Sequence, residues 1–453
     1  MSERLFGTNG VRGVINQDLS AQLSMDLGKA IGTYMKGNIA IGNDPRTSAD
    51  MVKSAVAAGI MSSGANVIDL GMVPTPVVQH YVKSNDIAGG IMITASHNPP
   101  EFNGIKCIDA DGTEMPRYKE EEIEKNYYKK SFSNMAWNQV GSMYPRSGAV
   151  DSYLSSIVNL VDVQAIKNAE LKVVLDCANG ASTVSSPRLL NDLGVRAITL
   201  NGNPMGTFPG HPSEPTEDHL KDLIATVKET GADLGIAHDG DADRTIFIDN
   251  KGHYLYGDKS LAIVASEMVK ENNGGTVVTP VSSSNCVEDV VTAEGGKIVY
   301  TKVGAPIVSR KMIEINAVFG GEENGGLIFP KHQYCRDGAM TAAKMLEIVS
   351  KQGPLSELVE KLPKYSQDKR KTVCPNDLKD SVLSYLVKQY EREEVNTIDG
   401  VKICYSDGWT LVRPSGTEPL FRIYSEAKTE VEAKERSNEC EKILSEAIKK
   451  YLK

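Results

Sequence analysis

The sequence predicts an α/β fold: three related α/β domains with mixed sheets, followed by a smaller α+β C-terminal domain. Length is the first reason. At 453 residues the chain should hold several domains, because single cores rarely grow past roughly 250–300 residues. A threefold repeat is the second. Three stretches each run apolar strand, polar serine-containing loop, helix-like segment, glycine, second strand and glycine, a β-loop-α-β unit at domain-sized spacing. The third is a change of pattern near the end, where short strand-like runs precede one charged helical segment.

The first unit is Asn38 to Gly71, NIAIGNDPRTSADMVKSAVAAGIMSSGANVIDLG. The second is Leu171 to Gly202, LKVVLDCANGASTVSSPRLLNDLGVRAITLNG, and the third Thr276 to Gly304, TVVTPVSSSNCVEDVVTAEGGKIVYTKVG. Domain boundaries are expected at 1–148, 149–250, 251–363 and 364–453. In the last part, Lys402 to Tyr405, Trp409 to Val412 and Phe421 to Tyr424 read as strands, and Glu430 to Lys453 as a helix. Leu355 to Thr397, with Pro363, Pro375 and many charges, reads as a linker and one helix.

With 40% hydrophobic and 24% charged residues, the composition is that of an ordinary globular protein. A net charge of −9 lacks the basic footprint of a nucleic-acid binder, yet local cationic sites can still draw an anionic substrate. Seven cysteines, at 107, 177, 286, 335, 374, 404 and 440, form no C-x-x-C pair, which fits reduced thiols in a cytoplasmic protein. The start, MSERLFGTNG, lacks the apolar core of a signal peptide. No run approaches the ~20 apolar residues of a membrane span, so a cytoplasmic protein without membrane partners is expected.

The most specific stretch for chemistry is His238-Asp239-Gly240-Asp241-Ala242-Asp243-Arg244. Its three carboxylates, at i, i+2 and i+4 between the apolar runs LGIA and TIFID, would face one way in extended chain and repel one another. A hard divalent ion with oxygen ligands is the natural partner; a solvated acidic turn is the competing reading. An EF-hand does not fit, since its sixth position is Arg244 where glycine is needed and its twelfth is Asn250. Asp241 to Thr245 also satisfies the D-x-D-x-T pattern of haloacid-dehalogenase-type phosphatases, although Asp239-Gly240 interrupts the strand expected before the nucleophile.

Ser96 and His97, within ITASHNPPEFNGIK from Ile93 to Lys106, invite a serine-hydrolase reading. Adjacent residues seldom point at each other, however, and no G-x-S-x-G elbow surrounds Ser96. A phosphate on Ser96 would carry about −1.5 to −2 charges at neutral pH, and a cation could bridge it to the aspartates. Arg12, Lys106 and Arg244 are cations within the motif stretches that could stabilise charge during phosphoryl transfer. In GGEENGG, Gly320 to Gly326, the residues Glu322, Glu323 and Asn324 either suit the vicinal hydroxyls of a sugar or form a polar turn. Arg413, Ser415, Gly416 and Thr417, with Arg422 nearby, offer a guanidinium, hydroxyls and backbone N–H groups for a phosphate.

In one order, LFGTNGVRG, TASHNP with NGIK, DGDADR, GEENGG and RPSGTEP closely resemble the α-D-phosphohexomutase family, across essentially the whole chain. The resemblance implies four domains in a heart-like arrangement around a central active-site cleft, the fourth like half of a TATA-binding protein. It implies that Ser96 is phosphorylated in the active enzyme, and that Asp239, Asp241 and Asp243 bind one Mg2+ per subunit with the Ser96 phosphate. Arg12, His97, Lys106 and Arg244 would serve catalysis, Lys106 as a candidate general acid/base. Lys302, Gly304, Glu322 and Asn324 would contact the sugar; Arg413, Ser415, Gly416, Thr417 and Arg422 would grip the phosphate that is not being transferred.

The implied reaction moves phosphate between C1 and C6 of a hexose, with a hexose 1,6-bisphosphate as intermediate and activator. Small-molecule sugar phosphates are the implied partners, for a monomer or homodimer. One position departs from many bacterial members. They carry Ser and then Gly-His after the loop glutamate, where Asn324, Gly325 and Gly326 follow Glu323 here. That leaves the proton-transfer base unassigned, since His332 is six residues further on. GEENGG with TKVG (Thr301 to Gly304) is closer to archaeal members. Extended through ITLNGN (Ile198 to Asn203) and KHQYCRDGAM (Lys331 to Met340), the resemblance leans to glucosamine phosphate, with Glu323 as a partner for a C2 ammonium. Glucose and mannose phosphates are the alternative, and a catalytically silent sugar-phosphate-binding protein is the other class.

Overall fold

Each repeat folds into a parallel strand–helix–strand unit. Asn38–Asn43 pairs with Asn66–Met72 across the helix Ala49–Ser62. Lys172–Asp176 pairs with Arg196–Leu200 across Ser186–Asp192, and Gly275–Pro280 with Gly296–Thr301 across Asn285–Ala293. The computed structural model describes residues 4–7, 9–391, 393–415 and 418–452.

In all three domains a third strand lies parallel on the other side of the first: Gly89–Ile93, Leu234–His238 and Phe319–Gly321. An antiparallel strand then returns beside it: Phe102–Ile108, Thr245–Ile248 and Leu327–Phe329. The sheets are therefore mixed, with six, five and five strands. Parallel neighbours need a crossover helix, whereas the antiparallel return needs only a loop. Those three loops, 94–101, 239–244 and 322–326, carry Ser96, the three aspartates and Glu322. The repeat legible in the sequence stops short of them, so their equivalence emerges only from the topology.

Gly89–Ile93 and Leu234–His238 are buried at every position, as expected of interior strands that read as unbroken apolar runs. One apolar core runs through all three domains, from Val78 through Tyr153 and Val173 to Phe319 and Met345. The helix Gly338–Gln352 is buried along most of its length, because it packs against elements of both the second and third domains.

The C-terminal domain is an antiparallel five-stranded sheet, in the order Ser366–Val373, Leu420–Ala427, Gly408–Pro414, Val401–Tyr405, Glu394–Asn396. Helices Lys379–Gln389 and Glu430–Tyr451 cover it around Cys374, Phe421 and Leu444. The second of these opens with a reciprocal cap between Thr429 and Glu432. Ser366–Val373 falls where the sequence reads as linker. Its residues, SQDKRKTV, are too charged to signal a strand, and charge of that kind is how an edge strand is kept from pairing with another chain.

All seven cysteines are free. Among the described residues, no helix is long and apolar enough to cross a membrane.

The third and fourth domains meet through Val281, Trp409 and Leu411. Lys402 lies 4.5 Å from the Trp409 ring centre and 4.9 Å from that of Tyr300, donating to the Val281 carbonyl at 2.8 Å. Beside them the buried Asp258 accepts from Ser284 N at 2.9 Å and from Gln367 Nε2 at 3.3 Å. Burial pushes its carboxyl from 3.8 up to about 7. Its folded state therefore binds a proton that the unfolded chain has lost, and stability falls as pH rises from about 4 to about 7. Asp258→Asn is expected to raise the melting temperature more at pH 8 than at pH 5, measured by thermal unfolding at the two pH values. An equal gain at both would contradict this.

Candidate active site

Ser96 is placed by its backbone. Its φ of 52° is left-handed, as is the 59° of Ala242 in the aspartate loop, a conformation non-glycine residues adopt at a cost and mostly at working sites. Ser96 Oγ donates to Asp239 Oδ2 at 2.8 Å and lies 3.3 Å from His97 Nδ1. Adjacent side chains normally diverge, and it is the left-handed turn that brings this pair together. Burial, with Arg244 and Arg12 nearby, pushes the His97 imidazole down to about 2, so it is neutral.

Asp239, Asp241 and Asp243 are buried, each with an oxygen within 4.8 Å of the others. They do not form a solvated turn. The strand ends at His238, so Asp241 lies in the turn beyond it, unlike the nucleophile of the D-x-D-x-T pattern. Cations from all three domains meet the cluster. Asp241 Oδ2 accepts from Lys106 Nζ and Thr75 Oγ1, both at 2.6 Å. Asp243 Oδ2 accepts from Arg336 Nη2 at 2.5 Å, with Lys106 Nζ 3.5 Å away. Arg244 Nε lies 4.0 Å from Asp239 and 3.7 Å from Asp243.

Burial, then the charges of Asp243 and Asp241, pushes the Asp239 carboxyl well above the usual range. Burial acts on Asp241 too, but Lys106, Thr75 and Arg12 outweigh it and hold that carboxyl low. Asp241 Oδ1 and Asp243 Oδ1 are buried without hydrogen-bond partners. Two orphaned carboxylate oxygens within a cluster of three aspartates are the kind of donor set a hard divalent cation takes.

A cavity of about 520 Å³ lies beside this cluster, lined by Arg12, His97, Arg244, Glu322, Asn324 and Arg336, with Gly304 at its edge. Arg12 Nη1 donates to Asn98 Oδ1 at 3.0 Å. Glu322 accepts from Gly304 N at 3.0 Å and from Arg336 Nη1 at 3.2 Å. Glu323 turns elsewhere, accepting from Ser282 Oγ at 2.9 Å, and does not line the cavity. Lys302 is exposed and lines an adjoining cavity of about 630 Å³.

The C-terminal residues form a separate group. Arg413 Nε donates to Asp399 Oδ2 at 3.0 Å, an oxygen that also accepts from Val303 N at 3.1 Å. Arg422 sits opposite Arg413 across the sheet and 3.4 Å from Glu418. Ser415 Oγ accepts from Glu418 N at 3.1 Å. Gly416 and Thr417 lie outside the described residues. None of the described residues lining the two cavities comes from this domain.

Arg336 and His238 were not singled out by their residue types. Arg336 spans Asp243 and Glu322, joining the aspartate cluster to the loop of the third domain. Its signal is an arginine directly before the Asp337 cap of a long helix. The buried His238 lies 3.0 Å from Ser186 Oγ through Nε2 and 3.1 Å from the Arg244 carbonyl through Nδ1, closing the aspartate loop. His332 Nδ1 lies 3.1 Å from Ser156 Oγ and its Nε2 3.2 Å from Asp337 Oδ2, its ring is stacked on His80, and it does not line the cavity.

Family models for phosphoglucomutase/phosphomannomutase match in succession: alpha/beta/alpha domain I over residues 3–134, domain II over 151–252, domain III over 256–365 and the C-terminal domain over 364–442. The chain belongs to the α-D-phosphohexomutase family. It is 42% identical over 455 residues to a phosphoglucomutase/phosphomannomutase of Thermococcus kodakarensis, covering 98% of this chain and 99% of that one. It is equally 42% identical, over 450 residues, to a phosphoglucosamine/phosphogalactosamine mutase of Sulfurisphaera tokodaii, covering 97% and 99%. Among solved structures, a phosphoglucomutase/phosphomannomutase family protein of Burkholderia thailandensis superposes with a TM-score of 0.89 at 28% identity, covering 98% of this chain and 97% of that one.

In this phosphohexomutase the loops touch backbone to backbone. A Cβ on Gly240 would stand 2.6 Å from the Ser96 carbonyl oxygen, and one on Gly325 would stand 2.5 Å from that of Thr245. Arg336→Met would leave Asp243 and Glu322 without that buried cation, a loss of roughly 3–5 kcal/mol. Thermal unfolding is expected to fall and mutase activity to drop at least tenfold. A variant with wild-type stability and turnover would contradict the bridging role.

Proposed function

We propose that this phosphohexomutase interconverts glucosamine 6-phosphate and glucosamine 1-phosphate through a phosphoserine at Ser96. One observation carries the mechanism: a buried serine hydroxyl donating at 2.8 Å to a carboxylate triad that cations from three domains surround. A phosphate on Ser96 would add about −1.5 to −2 charges beside this crowded carboxylate cluster, and a divalent cation would offset them. Asp239, Asp241 and Asp243 would hold Mg2+, which when bound offsets phosphate charge and polarises the P–O bond.

Phosphoryl transfer from Ser96 breaks its Oγ–P bond and forms a bond to the free sugar hydroxyl, whose proton must leave. Lys106 would be the residue to take that proton, since the His97 imidazole is held neutral. The sugar 1,6-bisphosphate then turns over, and Ser96 Oγ takes the other phosphoryl group as its own proton passes to the departing sugar oxygen. Glu322 and Asn324 face the cavity for sugar hydroxyls, with Lys302 and Gly304 at its border. Arg413, Ser415 and Arg422 would grip the remote phosphate once the C-terminal domain swings toward the cavity, which also excludes water from phosphoserine.

Glucosamine phosphate is supported by the Sulfurisphaera relative. The equal identity to the Thermococcus protein favours a second reading, a bifunctional phosphomannomutase/phosphoglucomutase. Glu323, bonded to Ser282 away from the cavity, gives no support to an ammonium contact. Comparing kcat/KM for glucosamine, glucose and mannose phosphates decides between them; a preference for mannose or glucose phosphate rejects the first reading.

Incubation with glucose 1,6-bisphosphate is expected to add one phosphate, about 80 Da by intact mass, lost in Ser96→Ala. An unmodified wild-type chain would point instead to a silent binding protein. EDTA should abolish turnover and Mg2+ restore it. Arg413→Ala should raise KM about tenfold, the worth of one charge-assisted phosphate contact, while Ser96 still takes phosphate; an unchanged KM rejects the remote-phosphate role.

A further inference from the structure

Arg46 lies in the first repeat, outside every motif that carries the chemistry, and its side chain is fully buried. A guanidinium has five N–H donors in a fixed plane, and all five are used. Nε donates to Asp44 Oδ2 at 3.1 Å. Nη1 donates to the carbonyls of Pro99 at 2.6 Å and Phe102 at 2.9 Å. Nη2 donates to those of Ser96 at 2.9 Å and Asn98 at 2.6 Å. Three carbonyls of the serine loop and that of Phe102, at the start of the following strand, thus converge on a single cation.

The same cation is tied to two further supports. Asp44 Oδ2 accepts from Thr94 Oγ1 at 2.6 Å, and Thr94 Oγ1 accepts from Ser96 N at 2.8 Å. Ser96 is therefore held through both its N–H and its carbonyl. From the second domain, the Phe208 ring lies 5.0 Å from the Arg46 guanidinium carbon. Gly206 presses against the Pro45 carbonyl so closely that a Cβ would stand 2.3 Å away. The loop around Phe208 thus caps Arg46 from the domain that supplies the aspartates.

We propose that Arg46 is a positioning residue for phosphoryl transfer, a clamp that holds Ser96 in its left-handed conformation with Oγ aimed at Asp239, and that Phe208 braces it across the domain joint. The proposal rests on the phosphoserine reading above. Arg46 touches neither substrate nor phosphorus; it acts through the main chain of the serine loop. Lysine keeps the charge but offers three donors from one point, which cannot span carbonyls of residues 96, 98, 99 and 102. Arg46→Lys therefore separates geometry from charge. Phe208→Leu removes the brace and leaves all five hydrogen bonds.

The test is the rate of Ser96 phosphorylation by glucose 1,6-bisphosphate, followed by intact mass, beside steady-state kinetics and thermal unfolding for the wild type, Arg46→Lys and Phe208→Leu. In that step the Ser96 Oγ–P bond forms as a sugar O–P bond breaks, and the serine proton passes to the sugar oxygen. Arg46→Lys should unfold cooperatively, take phosphate at least 30-fold more slowly and lose kcat to the same extent, with KM within threefold. Phe208→Leu should fall between it and the wild type.

A folded Arg46→Lys phosphorylated at the wild-type rate overturns the clamp, as does a change confined to KM. Loss of cooperative unfolding in both variants also overturns it, assigning Arg46 to the fold alone. A wild-type chain that takes no phosphate on Ser96 rejects the phosphoserine reading, and the clamp with it. That outcome is distinct, because it appears before any variant is compared.

Discussion

Three carboxylates whose oxygens lie within 4.8 Å of one another repel by roughly 3.5 kcal/mol per pair at an effective dielectric of 20. Burial away from water makes that repulsion harder to relieve. The rest of the site is a response to it. Lys106 comes from the first domain, Arg244 from the aspartate loop itself and Arg336 from the third domain. No single domain could supply these cations from one loop, so the cluster binds three domains into one site. A hydroxyl also suits this setting: Ser96 approaches Asp239 as a donor, where a further carboxylate would be repelled.

The topology gives each domain one turn to contribute. The loop between the third strand and its antiparallel return carries Ser96 in the first domain, the aspartates in the second and Glu322 in the third. A duplicated unit placed three times around a common point delivers three equivalent loops to that point, and each has taken a different part of the chemistry. The fourth domain, built on an unrelated antiparallel sheet, brings its arginine and serine group from outside.

Much of this was legible in the sequence. The crossover units were, because parallel strands and their helices leave unbroken apolar runs and glycine stops. Ser96 and the aspartates were, because three carboxylates crowded between apolar runs call for a cation, and a serine beside a cation site suits phosphate. Arg336 and Arg46 were not. A buried arginine is defined by the acceptors around it, and these include Asp243, 93 positions from Arg336, and Ser96, 50 positions from Arg46. Ser366–Val373 was hidden for the opposite reason, since its charged side chains suit an edge that propensity reads as loop. The positive φ of Ser96 likewise has no signal in its residue type; its carbonyl accepts from Arg46, 50 positions away.

The glycine contacts at Gly240 and Gly325 leave no room for even a methyl group between the backbones of successive domains. The first three domains also share one apolar core. The fourth meets the third through a small apolar patch, one lysine laid over two rings, and hydrogen bonds that include Gln367 to Asp258 and Val303 N to Asp399. The serine and the aspartates thus sit on the interlocked part of the molecule, and the phosphate-binding candidates of the fourth domain on a separate sheet beyond it.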